Sequence, residues 1–350
     1  MDRSKEDPVR VDSFFLKSIH RTLKVLLGSR IPLRVAQFIT YRCNLDCLYC
    51  ARHASDGREL ETNQIKSLMS CFRKAGTLFW GFNGGEALVR DDIGELINYG
   101  KSLGMFVNVS TNGTLLARKC SEIRNADMVN VSLEGPKAVH DHMRSGSFDR
   151  MCEGIEAMRL EGIKFTFITC INSRNLDSLG FVLEFAEKHK TKAVFQPIRV
   201  QKEDIKAKSR DFFPARDRMR EGIDYLLQEK RRGRPVGSSA DYLRQVRISW
   251  PDGCPEMRCW AGRLYCSIAP EGTVTSCCDT LGEARKCEIW QPPEKVVEDF
   301  FRLPTFRCAT CFAAMPLEAN LAVSAGLKNP LSAARRVAAF FPRDFWRSQW

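Results

Sequence analysis

With 350 residues and 44% hydrophobic content, the chain can bury the core of one large α/β unit plus a smaller one without help from disulfides. Its net charge of +12 is uneven: residues 1–30 carry +3, and residues 201–236 and 321–350 carry +4 each. The excess sits in flanks and a linker with no nucleic-acid-reading motif beside it, so no nucleic-acid partner is expected. No apolar signal segment or membrane-length run precedes the fifteen cysteines, which implies a reducing, cytoplasmic location with thiols open to metal.

In chain order, "FFLKSIHRTLKVLLGSR" spaces apolar residues at helical intervals around Lys17, Arg21 and Lys24. The C-terminal "LSAARRVAAFFPRDFWRSQW" mixes Arg with Phe and Trp. Two readings stand for these ends: helices docked on the body with solvated outer faces, or basic amphipathic segments in peripheral contact with the inner face of an anionic membrane. Between them, strands are predicted at "LRVAQFIT", "TLFWGFN", "MFVNVS", "MVNVSL", "KFTFITCI" and "AVFQPI", with helical stretches such as "TNQIKSLMSCFRKAG" and "NLDSLGFVLEFAEKHK" interposed. Six successive β/α units predict a parallel sheet with right-handed crossovers, closing toward a barrel whose chemistry collects at the C-terminal ends of the strands. The segments are a basic N-terminal extension (1–30), the barrel (31–200), a charged helical linker (201–236), a cysteine-rich domain (237–320) and a basic aromatic tail (321–350). Eight of the fifteen cysteines fall between Cys254 and Cys311.

The first chemical signal is "TYRCNLDCLYCAR", directly after the first predicted strand, with Cys43, Cys47 and Cys50 in a C-x3-C-x2-C spacing. Three thiolates can hold three corners of a cubane iron–sulfur cluster and leave the fourth iron open to a chelating small molecule. A zinc site completed by the nearby His53 is the alternative. Three further motifs follow later strands: "FNGGEALVR", "VSTNGTLL", and "VSLEG" with "HDHMRSGSFD" behind it. Each alone reads equally as a turn, a strand exit or a solvated loop. All lie in order where a barrel collects its site.

The spacing, with Tyr49 before the last cysteine, resembles the signature of radical S-adenosylmethionine (SAM) enzymes, and the similarity extends over Leu33 to Val200. It implies a partial (β/α)6 TIM-type barrel in which a [4Fe–4S] cluster on Cys43, Cys47 and Cys50 chelates SAM at its open iron. Reductive cleavage would then give a 5′-deoxyadenosyl radical that abstracts a hydrogen atom from substrate, with reduced ferredoxin or flavodoxin as electron donor. The resemblance assigns SAM contacts to Tyr49, Gly84, Gly85, Glu86, Ser110, Asn112, Ser132 and Arg144. Glycines would let the backbone approach the methionine, Glu86 would accept from its ammonium group, and the Arg144 fork suits its carboxylate.

In the C-terminal part, "CWAGRLYCSIAPEGTVTSCC" places Cys259 and Cys277 on either side of a predicted hairpin, and "CATC" adds Cys308 and Cys311. This looks like the twitch form of the SPASM/twitch auxiliary domains found in the radical SAM superfamily. It implies one auxiliary [4Fe–4S] cluster on Cys259, Cys277, Cys308 and Cys311. Surplus thiols leave alternatives: Cys266 or Cys278 could replace a ligand, Cys254 or Cys287 could complete a second site, and the same four residues could hold structural zinc. An auxiliary cluster that takes up an electron favours a net oxidation or cross-link, with Asp279 either a proton acceptor or simply an exposed hairpin residue.

The expected substrate is a peptide or small molecule, and the thirty N-terminal residues are too few for a leader-binding domain. A lipid or isoprenoid at the membrane surface is the alternative drawn from the basic ends. A reading of another class, a zinc-stapled protein contacting nucleic acid or membrane, predicts colourless protein.

Overall fold

The computed structural model describes residues 8–50, 58–198, 211–253, 257–281, 291–304 and 311–328. Its strands are β1 (Arg34–Phe38), β2 (Phe79–Asn83), β3 (Phe106–Thr111), β4 (Met128–Ser132), β5 (Phe165–Ile171), β6 (Ala193–Pro197), β7 (Tyr265–Ile268) and β8 (Val274–Thr275). The helices are α1 (Pro8–Leu26), α2 (Thr62–Ala75), α3 (Ile93–Ser102), α4 (Leu116–Ile123), α5 (Lys137–Met143), α6 (Phe148–Leu160), α7 (Leu179–Lys188), α8 (Arg216–Arg231), α9 (Ala240–Ser249), α10 (Pro293–Arg302) and α11 (Ala314–Lys328). Five of the six strand runs quoted from the sequence contain their strand whole, and "MFVNVS" covers β3 up to Ser110.

The strands form one sheet in the order β6-β5-β4-β3-β2-β1-β7-β8, with β1 to β6 mutually parallel. One or two helices cross over between each consecutive pair, so the loops leaving β1 to β5 gather on one rim.

Alternation gives the sheet two different faces. Val35, Trp80, Phe82, Val107, Val109, Val129, Val131, Phe167 and Phe195 share one core with α2, α3, α4, α6 and α7. The residues between them form the other face, the lumen. There the register sets Ala36 beside Gly81 and Gly81 beside Asn108, and higher up it sets Ser110 beside Asn130. Ala36, Ser110, Asn130, Ser132 and Gln196 are only half-buried. The lumen is therefore lined by small and polar groups together with the half-buried Phe38, Ile168 and Val194, unlike the fully buried helix-facing side.

The cysteine-rich segment is not set apart from this sheet. β7 pairs parallel with β1, Arg34 opposite Tyr265, and β8 returns antiparallel beside it. Below the lumen, Leu33, Leu78, Phe79, Trp260 and Tyr265 pack with Val25 of α1 and Ala319, Ala322 and Val323 of α11, closing the N-terminal end of the strands. Thus α1 is docked, while Leu16, Lys17, Leu23, Lys24 and Leu27 face outward.

In the charged segment, α8 buries Met219, Ile223 and Leu226. The chain then runs beside β6, with the Ala193 N–H donating to Pro235 O at 2.9 Å. Among the described residues no helix is long and apolar enough to cross a membrane. The basic C-terminal run from residue 331 lies outside the described residues.

Candidate active site and metal centres

The loop carrying Cys43, Cys47 and Cys50 leaves the C-terminal end of β1 and is tied down from every neighbouring loop. The Gly85 N–H donates to Thr40 O and the Glu86 N–H to Arg42 O, both at 2.9 Å. A methyl group on Gly85 would stand 2.4 Å from Arg42 O and 2.6 Å from Tyr41 O, and one on Gly84 2.7 Å from Thr40 O. The paired glycines are thus required by the backbone of the cysteine loop itself, a demand independent of any ligand.

Glu86 joins the next loop: its carboxylate accepts the Asn112 N–H at 2.6 Å and the Leu88 N–H at 3.0 Å. The Asn112 side chain donates to Asn44 Oδ1 at 2.9 Å, and Asn44 donates to Thr114 Oγ1 at 2.8 Å. Gly113, at φ +87°, makes the tight turn. From the β4 side, the Leu48 N–H donates to Met143 O and Ser145 Oγ to Asp46 O.

At the centre of that side is Glu134, fully buried, which sequence reasoning passed over although it stands in "VSLEG". One carboxylate oxygen accepts from Arg144 Nε at 2.8 Å, Arg144 Nη2 at 2.7 Å and the Tyr49 hydroxyl at 2.7 Å. The other accepts the Cys170 N–H at 3.1 Å and Asn175 Nδ2 at 3.3 Å. The Arg144 guanidinium also lies 5.5 Å over the Tyr49 ring. Burial opposes the Arg144 charge, yet Tyr49, Glu134 and Cys47 hold it firmly protonated. His140 props the same turn, its Nδ1 accepting the Glu134 N–H at 3.4 Å and its Nε2 meeting Ser147 Oγ at 3.0 Å. Burial, with the Arg144 charge, drives His140 down to about 3, so it stays neutral.

Burial pushes the Cys47 thiol up to about 11, against the pull of Arg144, and burial also raises Cys43. Cys50 adds to both, so the three sulfurs lie within electrostatic reach of one another. Crowded thiols that disfavour each other's ionisation suit a cationic centre that would reverse the penalty. Ser110 Oγ accepts from Asn130 Nδ2 at 3.4 Å, and Ser132 ends β4, so both open on the lumen below this loop.

The second cysteine group lies at the opposite end of β1. The hairpin register runs Ser267 to Thr275, and continuing it brings Cys277 opposite Tyr265, itself level with the start of β1. Burial, then Cys259, Cys277 and Cys311, raises the Tyr265 hydroxyl, so three of the expected ligands surround one buried phenol. Cys308, with the alternatives Cys254 and Cys287, lies outside the described residues, as does His53 of the zinc alternative at the first loop.

Cys266 points to the other face of β7, into the helix-side core, and burial alone raises it, which removes it from the ligand candidates. Cys278 stays close: its sulfur is 3.9 Å from that of Cys277 and 3.8 Å from Asp279 Oδ1, and these three donors lie within 4.8 Å of one another. Asp279 therefore stands among metal-ligand candidates at the lower end, and the structure does not bring it to the rim. The hairpin turn links the two ends, with the Tyr41 hydroxyl donating to Glu271 Oε2 at 2.7 Å.

Residues 38–186 match the radical SAM superfamily. That stretch of the chain is a radical SAM domain. It is 30% identical over 215 residues to the Fe-coproporphyrin III synthase of Methanosarcina barkeri, covering 59% of this chain and 53% of that one. It is 27% identical over 259 residues to the mycofactocin maturase MftC of Mycolicibacterium smegmatis, covering 71% and 65%. The chain thus spans about half to two thirds of the length of these curated relatives.

Among radical SAM structures, Streptococcus suis SuiB bound to S-adenosylmethionine superposes with a TM-score of 0.62 at 14% identity, over 73% of this chain and 63% of that one. The anSMEcpe structure with bound AdoMet gives 0.62 at 17%, over 79% and 81%. At these identities the likeness establishes the fold. Radical SAM proteins bind a [4Fe–4S] cluster and SAM, and the half-buried three-thiol loop of this chain fits that pair.

Proposed function

We propose that this chain is a radical SAM enzyme that oxidises or cross-links a polar substrate, a peptide or other small molecule, held in the barrel lumen. The observation that carries the reading is the three-thiol loop at the C-terminal end of β1, fixed by the Gly84–Gly85–Glu86, Asn112 and Arg144 loops. In this reading Cys43, Cys47 and Cys50 hold the cluster. Arg144, aligned by Glu134, faces the methionine carboxylate, and Tyr49, Gly84, Gly85, Glu86, Ser110, Asn112 and Ser132 supply the remaining contacts. Once bound, cluster and SAM supply one-electron cleavage of the sulfonium and hydrogen-atom abstraction.

The lumen supports a polar substrate. Asn108 sits low on β3 with its amide oxygen buried and lacking a hydrogen-bond partner, and Asn130 and Gln196 share that face. Such a lining favours amide or hydroxyl groups over an isoprenoid chain. The relatives' names, a maturase and a coproporphyrin synthase among them, point to different substrates, so the barrel does not name this one.

Removing a hydrogen atom and a proton from substrate leaves one electron. Cys259, Cys277 and Cys311, with Cys308, would hold a closed cluster to receive it. Arg34 to Phe38 spans about 13 Å of strand, so a cluster at the lower end sits under the lumen rather than among the SAM contacts. Asp279 stands beside Cys277 and Cys278, where it is either the proton acceptor or one of the metal-ligand candidates.

The lipid alternative rests on the outward Leu16, Leu23 and Leu27 of α1 between Lys17 and Lys24. It would add a docking face while leaving the chemistry unchanged.

Anaerobically purified protein should be brown, with about eight irons and eight sulfides per chain. Dithionite and SAM should yield 5′-deoxyadenosine, and ferredoxin or flavodoxin should replace dithionite. Colourless protein carrying zinc would overturn the reading.

A further inference from the structure

Asn320, on α11, is fully buried at the lower end of the barrel. Its Oδ1 accepts the Trp260 N–H at 2.9 Å and the Tyr265 hydroxyl at 3.2 Å. A backbone N–H can only donate, so the amide has one orientation and its NH2 must point the other way. There it meets the Cys259 sulfur at 3.8 Å. The Tyr265 hydroxyl lies 3.7 Å from the same sulfur, and its one proton can turn from Asn320 Oδ1 to that sulfur.

A neutral thiol is a weak acceptor, and an amide donor buried against one is poorly satisfied. Against a thiolate the same contact becomes a charge-assisted hydrogen bond. Cys259 is such a thiolate whenever it ligates iron or another cation. Hydrogen bonds to the sulfurs of an iron–sulfur cluster stabilise its more electron-rich, reduced form and so raise its reduction potential.

We propose that Asn320, anchored by Trp260 and seconded by Tyr265, is a positioning residue of the auxiliary site: it hydrogen-bonds the Cys259 thiolate and makes the cluster there a better electron acceptor. The proposal rests on the auxiliary-cluster reading given above and assigns it a device for taking up the second substrate electron. The donor comes from α11, the helix that follows Cys311. Nothing in the contact involves the rim, and the effect should be confined to one cluster.

The test uses the full-length chain with Cys43, Cys47 and Cys50 changed to Ala, so that only the auxiliary cluster remains. Iron content is measured, and the midpoint is read by an electron paramagnetic resonance redox titration. The parent should hold about four irons per chain. Asn320→Leu should move the midpoint to a more negative potential, and Tyr265→Phe should move it the same way by less.

An unchanged midpoint in both variants, with iron retained, overturns the inference while leaving the auxiliary cluster standing. A parent that holds zinc or no iron removes the auxiliary reading itself, and the inference with it, before any variant is compared. If Asn320→Leu does not retain iron, Tyr265→Phe, which removes one oxygen and keeps the ring packing, decides the question. A merely structural role would lower iron content or melting temperature without moving the midpoint of the iron that stays.

Discussion

The two cysteine groups of this chain lie at opposite ends of the same strand and are built in opposite ways. The rim group sits on a short loop after β1, held by hydrogen bonds from the loops after β2, β3 and β4. The lower group joins residues distant in sequence, Cys259, Cys277 and Cys311, around Tyr265 and beside the apolar layer of α1, α11 and the sheet. A loop stitched at its edges can leave one coordination position open to the lumen. A cluster closed by four thiolates cannot. The contrast teaches that the vacancy left by a missing fourth thiolate separates a centre that binds a small molecule from one that passes an electron.

The sharpest break in that contrast is Cys47→Ala, which should lower 5′-deoxyadenosine formation at least ~10³-fold, with turnover depending on a cluster that cannot form without its third thiolate. Roughly half the iron should remain, held at the lower site. Retention of full activity would show that the rim loop is not the reacting centre.

Next in size is Glu134→Ala, which leaves the buried Arg144 without its carboxylate and should cost about 3–5 kcal/mol of stability. Denaturant midpoints would read the loss, and SAM affinity should fall with it. Glu134→Gln, which keeps the shape and one acceptor, should recover part of both.

Gly85→Ala is the smaller perturbation. Its methyl group would stand 2.4 Å from Arg42 O, so the cysteine loop must move, at a cost of about 1–3 kcal/mol. Iron should be lost from the rim site and kept at the lower one. Equal loss from both would mean that the two sites are not independent.

The smallest effect is a pH slope. His140 is driven down to about 3 in the folded chain by burial and the Arg144 charge, from an ordinary 6.5. Because the unfolded chain takes up its proton first, this stabilisation is full above about 6.5 and fades as pH falls toward 3. The melting temperature should therefore drop between pH 7.5 and pH 5, and His140→Gln should flatten that drop. An identical slope in the variant would assign it to other groups.

The six barrel strands were legible because β-branched and aromatic runs alternate with amphipathic helices, and the rim motifs because each follows a strand. Glu134 was not, because nothing in "VSLEG" signals that Arg144 and Tyr49 converge on it. The polar lumen was written in the sequence as every second residue of β3 and β4, yet Asn108 and Asn130 gain meaning only when the register sets the strands side by side. Choosing among the surplus thiols likewise needed the strand: Cys266 leaves the set because it points away from Tyr265, while Cys278 and Asp279 stay beside Cys277. The addition of β7 to β1 joins residues more than two hundred positions apart, and no local pattern announces it.

The central claim, one open centre at the rim and one closed centre below it, is tested most directly by the electron paramagnetic resonance spectrum of the dithionite-reduced protein with and without SAM. The parent should show two clusters, one of which changes its spectrum on SAM addition, while the Cys43→Ala, Cys47→Ala, Cys50→Ala protein should show one cluster indifferent to SAM. A SAM-dependent change in the triple variant, or none in the parent, would contradict the account.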